Sequence, residues 1–139
     1  RLSPLHVTSG KFDRFEINGI NILCGNFFDL GEDDLAKVNA VYDRASLVAL
    51  PSEMRKYYVQ HLLRILPSAT KILLITFDYP PAEMSGPPFA VSPGEVEMLY
   101  QEHAEIRLLA RLDVLAQNQR FRERGLSQMQ ESIFLLTLH

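Results

Sequence analysis

The stretch Val38-Asn39-Ala40-Val41-Tyr42-Asp43-Arg44-Ala45-Ser46-Leu47-Val48-Ala49-Leu50-Pro51 decides how this chain is read. An apolar strand, residues 38–42, runs straight into the pair Asp43-Arg44. The chain then turns through small residues and restarts as a proline-led helix, Pro51-Ser52-Glu53-Met54-Arg55. A charged pair at the carboxyl end of a buried strand lies where open α/β sheets hold their ligands. Charge is also costly to bury unless something pairs with it. Arg44 therefore reads as a ligand contact. The alternative is a salt bridge to Asp43 or Asp29 that only pins the loop.

Downstream, residues 51–66 form the clearest helix. Proline at its first position lacks only a donor that the helix does not use there. Met54, Tyr58, Leu62 and Ile65 recur on one face, which is expected in the core, and Pro67 ends the run. Residues 72–77 are continuously apolar, as in a strand buried on both faces. Residues 80–93 are rich in proline and glycine and too long for a tight turn. They read as a mobile cover hinged at Gly86. Ser92 can cap a second helix, and Glu95 stands where it can cap back. Residues 106–114 and 132–138 read as an antiparallel pair at the sheet edge.

Upstream, residues 12–17 alternate apolar with charged side chains, the pattern of an edge strand or hairpin arm. Asn18-Gly19 supplies the positive-φ turn a hairpin favours, and residues 20–24 return. Residues 32–37 can make one or two helical turns. Strands alternating with helical crossovers argue for an α/β layered domain.

With 139 residues, 47% hydrophobic and 22% charged, the composition is that of one globular domain. A net charge of -3 gives no electrostatic case for nucleic acid or an anionic membrane, and neither is expected as a partner. The apolar runs are strand-sized, well short of a membrane span. The single cysteine, Cys24, cannot make an internal disulfide, which fits a reducing cytoplasm. It sits in an apolar strand and is expected to be inert core. His6, His61, His103 and His139 stand far apart and give no metal-ligand spacing. His61 reads as a satisfied half-buried side chain and His103 as a helix-end cation. There is no Ser/His/Asp or Cys/His set for a triad hydrolase, and no glycine loop to cradle phosphates.

Three segments in order, Asn26-Phe27-Phe28-Asp29-Leu30, then residues 42–51, then Gly86-Pro87-Pro88-Phe89, carry a family resemblance. With the intervening strand Leu73-Leu74-Ile75-Thr76-Phe77-Asp78-Tyr79, the set resembles the thiopurine S-methyltransferase family from about Gly10 to the last residue. The resemblance implies an α/β fold with the Rossmann-like sheet of class I S-adenosylmethionine-dependent methyltransferases. It implies S-adenosyl-L-methionine as cofactor and a small-molecule thiol as substrate. Methyl transfer would go to sulfur of thiopurines and related aromatic or heterocyclic thiols, and some bacterial members are linked to selenium or tellurium compounds.

Residue by residue, the resemblance places Asn26 and Phe27 at the adenine end of the cofactor. The plainer reading there is a turn with Phe27 and Phe28 in the core, and for Phe28 the core is expected. Asp29 either belongs to that site or caps the helix after it. Arg44 matches an arginine near the cofactor carboxylate and the substrate. Pro88 matches a proline that packs on the flat purine, or else belongs to a rigid loop that touches nothing. Arg120, five residues before Gly125, matches an arginine that polarises or pairs with the thiopurine ring. A small length difference lets Arg122 or Arg124 hold that place instead, and the plain alternative is a solvated basic loop.

One departure stands out. The family's glycine-bearing strand-to-helix turn, and the acidic residue that follows the next strand, have no match here. Gly10, Gly19, Gly25 and Gly31 are spread out and make no G-x-G-x-x-G fingerprint. Residues 1–139 thus read as the C-terminal part of a single methyltransferase domain with its N-terminal strands missing. In the family's sheet those strands sit between residues 20–24 and residues 38–42. The two neighbours are then expected three strand spacings apart, about 14 Å. On that reading the 139 residues alone are not expected to form the parent fold as a stable monomer. The alternative function is a cofactor-poor fragment that acts as a non-catalytic binding or self-associating module.

Overall fold

A computed structural model describes residues 3–139. Its first part is an antiparallel meander of β1 (Leu5–Ser9), β2 (Phe12–Ile17) and β3 (Ile20–Cys24). The hairpin falls where the alternation and the Asn18-Gly19 turn placed it, with φ of 50° and 80° at those two residues. β1 was not foreseen, although Leu5, His6, Val7 and Thr8 also alternate. All five residues of β3 are exposed, so Cys24 is not the core residue its apolar strand suggested. Burial needs a second layer, and both longer helices pack against the other sheet.

That sheet is mixed and four-stranded, in the order β4-β5-β7-β6. β4 (Ala40–Asp43) runs parallel to β5 (Lys71–Asp78). β7 (Gln130–Leu138) pairs antiparallel with both β5 and the edge strand β6 (Ala104–Asp113). β4 begins later than the apolar run because Val38 closes the preceding 3-10 turn, its N–H donating to the Leu35 carbonyl at 3.0 Å. β3 and β4 lie in different sheets and share no ladder.

The helices α1 (Ser52–Ile65) and α2 (Pro93–Tyr100) join the sheet in one core around Val59, Leu62, Leu74, Val96, Phe134 and Leu136. Pro51 precedes α1 as its cap rather than serving as its first residue. Tyr58, Leu62 and Ile65 are buried as the spacing predicted, but Met54 is 42% exposed. The inward place in that first turn belongs to Arg55, one residue on, which is buried. Its guanidinium grips Glu95 of α2 through Nε to Oε2 at 2.6 Å and Nη2 to Oε1 at 2.9 Å. Its Nη1 donates to the Leu50 carbonyl at 2.7 Å. Ser92 caps α2 as expected, accepting from the Glu95 N–H at 3.1 Å. Glu95 does not cap back, because a bidentate charge-assisted pair is stronger than a return bond to one amide. A short α3 (Gln119–Glu123) lies between β6 and β7, and Gly125 after it takes φ of 103°.

Candidate functional site

Because β4 and β5 are parallel, their carboxyl ends share one edge of the sheet. β7 enters and β6 leaves at that same edge, through the pairs Asp78↔Gln130 and Asp113↔Gln130. The turn after β4, the loop after β5 and the α3 segment therefore gather on one rim, which is where open α/β sheets bind ligands.

Asp43 organises the first of these. It is 2% exposed. Its Oδ2 accepts the Tyr58 hydroxyl at 2.7 Å, and its Oδ1 accepts the Ser46 and Leu47 amides at 3.2 and 3.3 Å. The loop-pinning salt bridge weighed for Arg44 does not form. Asp43 is engaged with those donors, Asp29 pairs with Lys11 at 3.3 Å, and Arg44 is exposed. Among the described residues no carboxylate lies within ion-pair distance of Arg44. Burial, and then the charge of Asp43, push the Tyr58 phenol far above its ordinary pKa. Tyr58 therefore stays protonated and remains a donor.

Asn26 caps a 3-10 turn over Phe27–Asp29, accepting the Phe28 N–H at 3.0 Å. Phe27 is half-buried with its ring 4.9 Å from that of Tyr58, which links this turn to Asp43. Phe28 is exposed rather than core, set edge-on to Phe27 and to His61 at 5.6 and 5.5 Å. The buried His61 fills the space beneath. Its Nε2 donates to the Leu30 carbonyl at 2.9 Å, which leaves Nδ1 to accept from Arg64 at 2.7 Å. Asp29 does not cap the next turn; there the Gly31 N–H donates to Asp34 at 2.8 Å.

The loop expected to move as a cover is bonded down at several points. The Tyr79 hydroxyl donates to the Pro88 carbonyl at 2.6 Å, and the Phe89 N–H donates to the Val48 carbonyl at 2.7 Å. These bonds set Pro88, half-buried, against the turn that carries Arg44. Gly86 has φ of 74°, and an added Cβ would lie 2.7 Å from the Phe89 ring, so the bend requires glycine. Glu83 receives the Ser127 N–H at 2.9 Å and its hydroxyl at 2.8 Å, which ties the loop to the segment after α3.

Arg120, Arg122 and Arg124 are all exposed. Of the three, Arg124 is the one whose charge is felt at Tyr79, where it counters the upward push of burial on the phenol. Phe27, Arg44 and Pro88 are thus tied together through Tyr58 and Val48, and Arg124 stands near Tyr79. Arg120 has no such link among the described residues. Sequence reasoning missed Tyr58, Tyr79, Glu83 and Ser127 as organisers of the rim. A tyrosine on an apolar stripe signals core, and its hydroxyl was the overlooked clue.

The Glu83 latch has a pH signature. Bonds from the Ser127 amide first, then from its hydroxyl, hold the Glu83 carboxyl below its ordinary pKa. A carboxylate depressed in the fold stabilises it above the unfolded pKa, and that contribution is lost as pH falls through the folded value. The Ser127 amide is expected to lose hydrogen-exchange protection as pH falls through the lowered Glu83 pKa, beneath the ordinary glutamate range, and Glu83→Ala is expected to abolish that dependence. A protection factor that stays unchanged on acidification for as long as the protein remains folded would show that the latch does not hold the loop.

Among the described residues no group of three or more His, Cys, Asp or Glu could hold a metal ion, and no helix is long and apolar enough to cross a membrane. The fold and the rim are those of a mixed α/β domain whose polar and aromatic groups gather at the carboxyl ends of its parallel strands. The chain belongs to the thiopurine S-methyltransferase (TPMT) family, whose model matches residues 1–139. It is 65% identical over 134 residues to the thiopurine S-methyltransferase of Nitrosospira multiformis, covering 96% of this chain and 61% of that protein. It is 49% identical to that of Pseudomonas aeruginosa strain UCBPP-PA14, over 91% of this chain and 58% of the relative. The thiopurine S-methyltransferase of Azotobacter vinelandii is 43% identical, over 98% and 62%. The chain spans about three fifths of the length of these relatives.

Proposed function

We propose that this chain carries cofactor and acceptor contacts of an S-adenosyl-L-methionine-dependent methyltransferase acting on sulfur of thiopurines and related aromatic or heterocyclic thiols. Selenium and tellurium compounds are further acceptors on this reading. The mixed sheet is read as part of the Rossmann-like class I sheet. The observation that carries the proposal is Arg44, an exposed guanidinium without a carboxylate partner among the described residues, on the turn whose Asp43 is bonded to the buried Tyr58, the ring that packs on half-buried Phe27.

The residues present suit the cofactor's chemistry. A flat purine can lie on the Phe27 side of the rim, with Asn26 beside it. A carboxylate can be met by the Arg44 fork, which stays charged when partly desolvated. When bound, the cofactor supplies a methyl group on a sulfonium, an electrophile with its leaving group built in. The protein's task is then alignment, which can contribute up to about 7–11 kcal/mol. Pro88 would flank the acceptor ring, and Arg120, or in its place Arg122 or Arg124, would keep an ionised sulfur in place. A thiopurine sulfur is acidic and soft, so no general base is demanded of the chain. The loop of residues 80–93 would keep water out.

Full-length protein incubated with methyl-labelled cofactor and mercaptopurine is expected to place label on sulfur. No transfer to any sulfur or selenium acceptor would remove this reading.

A further inference from the structure

We propose that Tyr58 is a positioning residue that sets the Phe27 turn and the Arg44 turn at a fixed separation, through its ring on Phe27 and its hydroxyl bond to Asp43. The proposal rests on the reading of Phe27 and Arg44 as cofactor contacts. Phe27 follows β3, and Arg44 follows β4. Those strands belong to different sheets, so no backbone ladder between them sets the distance between the two turns.

Tyr58, from the middle of α1, spans the two turns. Its ring centroid lies 4.9 Å from that of Phe27, tilted by 37°. Its hydroxyl lies 2.7 Å from Asp43 Oδ2. The other Asp43 oxygen holds the Ser46 and Leu47 amides, and with them the turn that presents Arg44. Ring packing alone tolerates sliding, whereas a short bond to a buried carboxylate is directional. His61 also touches Phe27, at 5.4 Å, but it is anchored on Leu30 of the same segment and ties nothing to β4. The phenol stays protonated, because burial and the Asp43 charge both oppose its ionisation.

The test is Tyr58→Phe in the full-length protein, which keeps the ring on Phe27 and removes only the hydroxyl. Calorimetric titration is expected to give about tenfold weaker binding of S-adenosylhomocysteine. The KM for cofactor should rise with it, while the KM for the thiol and kcat at saturating cofactor stay within about twofold. With no ligand present, the Ser46 and Leu47 amides should lose hydrogen-exchange protection. Asp43→Asn, which keeps an acceptor oxygen, should lose less cofactor affinity than Asp43→Ala. Unchanged affinity in Tyr58→Phe beside a wild type that binds would overturn the proposal alone. Equal losses for cofactor and thiol, with a lower melting temperature, would assign Tyr58 a structural role and overturn it too. A wild type that binds no S-adenosylhomocysteine would overturn both this proposal and the methyltransferase reading.

Discussion

Arg44→Ala in the full-length protein is expected to weaken S-adenosylhomocysteine binding by about ten- to a hundredfold, the scale of losing a hydrogen bond to a charged group. Stability should hardly change. Arg44 is exposed and has no ion-pair partner among the described residues, and the turn around it is held by Asp43. Substitutions at such surface positions stay within about 0.5 kcal/mol. Arg44→Lys separates charge from shape: it keeps the cation but loses the planar fork, and should recover only part of the affinity. Calorimetry on the three proteins, with thermal melts, reads both quantities. Intact binding with a lowered melting temperature would make Arg44 a structural residue.

The largest stability effect is expected at Arg55. Arg55→Met removes one half of a largely buried pair and also leaves the Leu50 carbonyl without its donor. Breaking such a pair from one side costs about 3–5 kcal/mol. Glu95 retains 24% of its side-chain exposure, so water can partly rescue it and the low end, about 3 kcal/mol, is expected. Adding Glu95→Gln should return part of the loss, since no unpaired charge is then left against α1. Urea unfolding of the single and double variants measures this directly. A single variant within about 0.5 kcal/mol of wild type would mean that α1 and α2 are held by apolar packing alone.

The parts of the fold that were legible are those written locally. The β2-β3 hairpin follows from alternation and from Asn18-Gly19, α1 from its three- and four-residue spacing, and β5 from an unbroken apolar run. What escaped depended on layers. Cys24 lies on a strand whose residues are all exposed, Phe28 sits on the outer side of a turn whose inward place goes to Phe27, and Met54 lost its inward place to Arg55. Composition within a window cannot say which face meets a neighbour. Asp43 and Arg44 show the same limit in the site. Successive side chains on an extended strand point to opposite faces, so one entered the core and the other met solvent. Their adjacency suggested a pair, whereas the geometry sent Asp43 to Tyr58, fifteen residues away in sequence. The rim itself was legible because Asp43-Arg44, Pro88 and the arginines near Gly125 all follow or flank apolar strands. The ties among them were not, since Glu83 and Ser127 lie 44 residues apart.

The strand order has a consequence for biosynthesis. β7 is made after β5 and β6, yet it lies between them and is, among the described residues, the only neighbour of β6 in the sheet. While the ribosome is still adding residues before Gln130, β5 has an open edge on the β7 side and β6 has no strand to pair with. Unpaired strand edges invite association with other chains. Nascent protein is therefore most vulnerable in the interval between completion of β6 and release of β7. A pause in translation across α3 would lengthen that interval, and a chaperone holding β5 and β6 apart from other chains would shorten its harm.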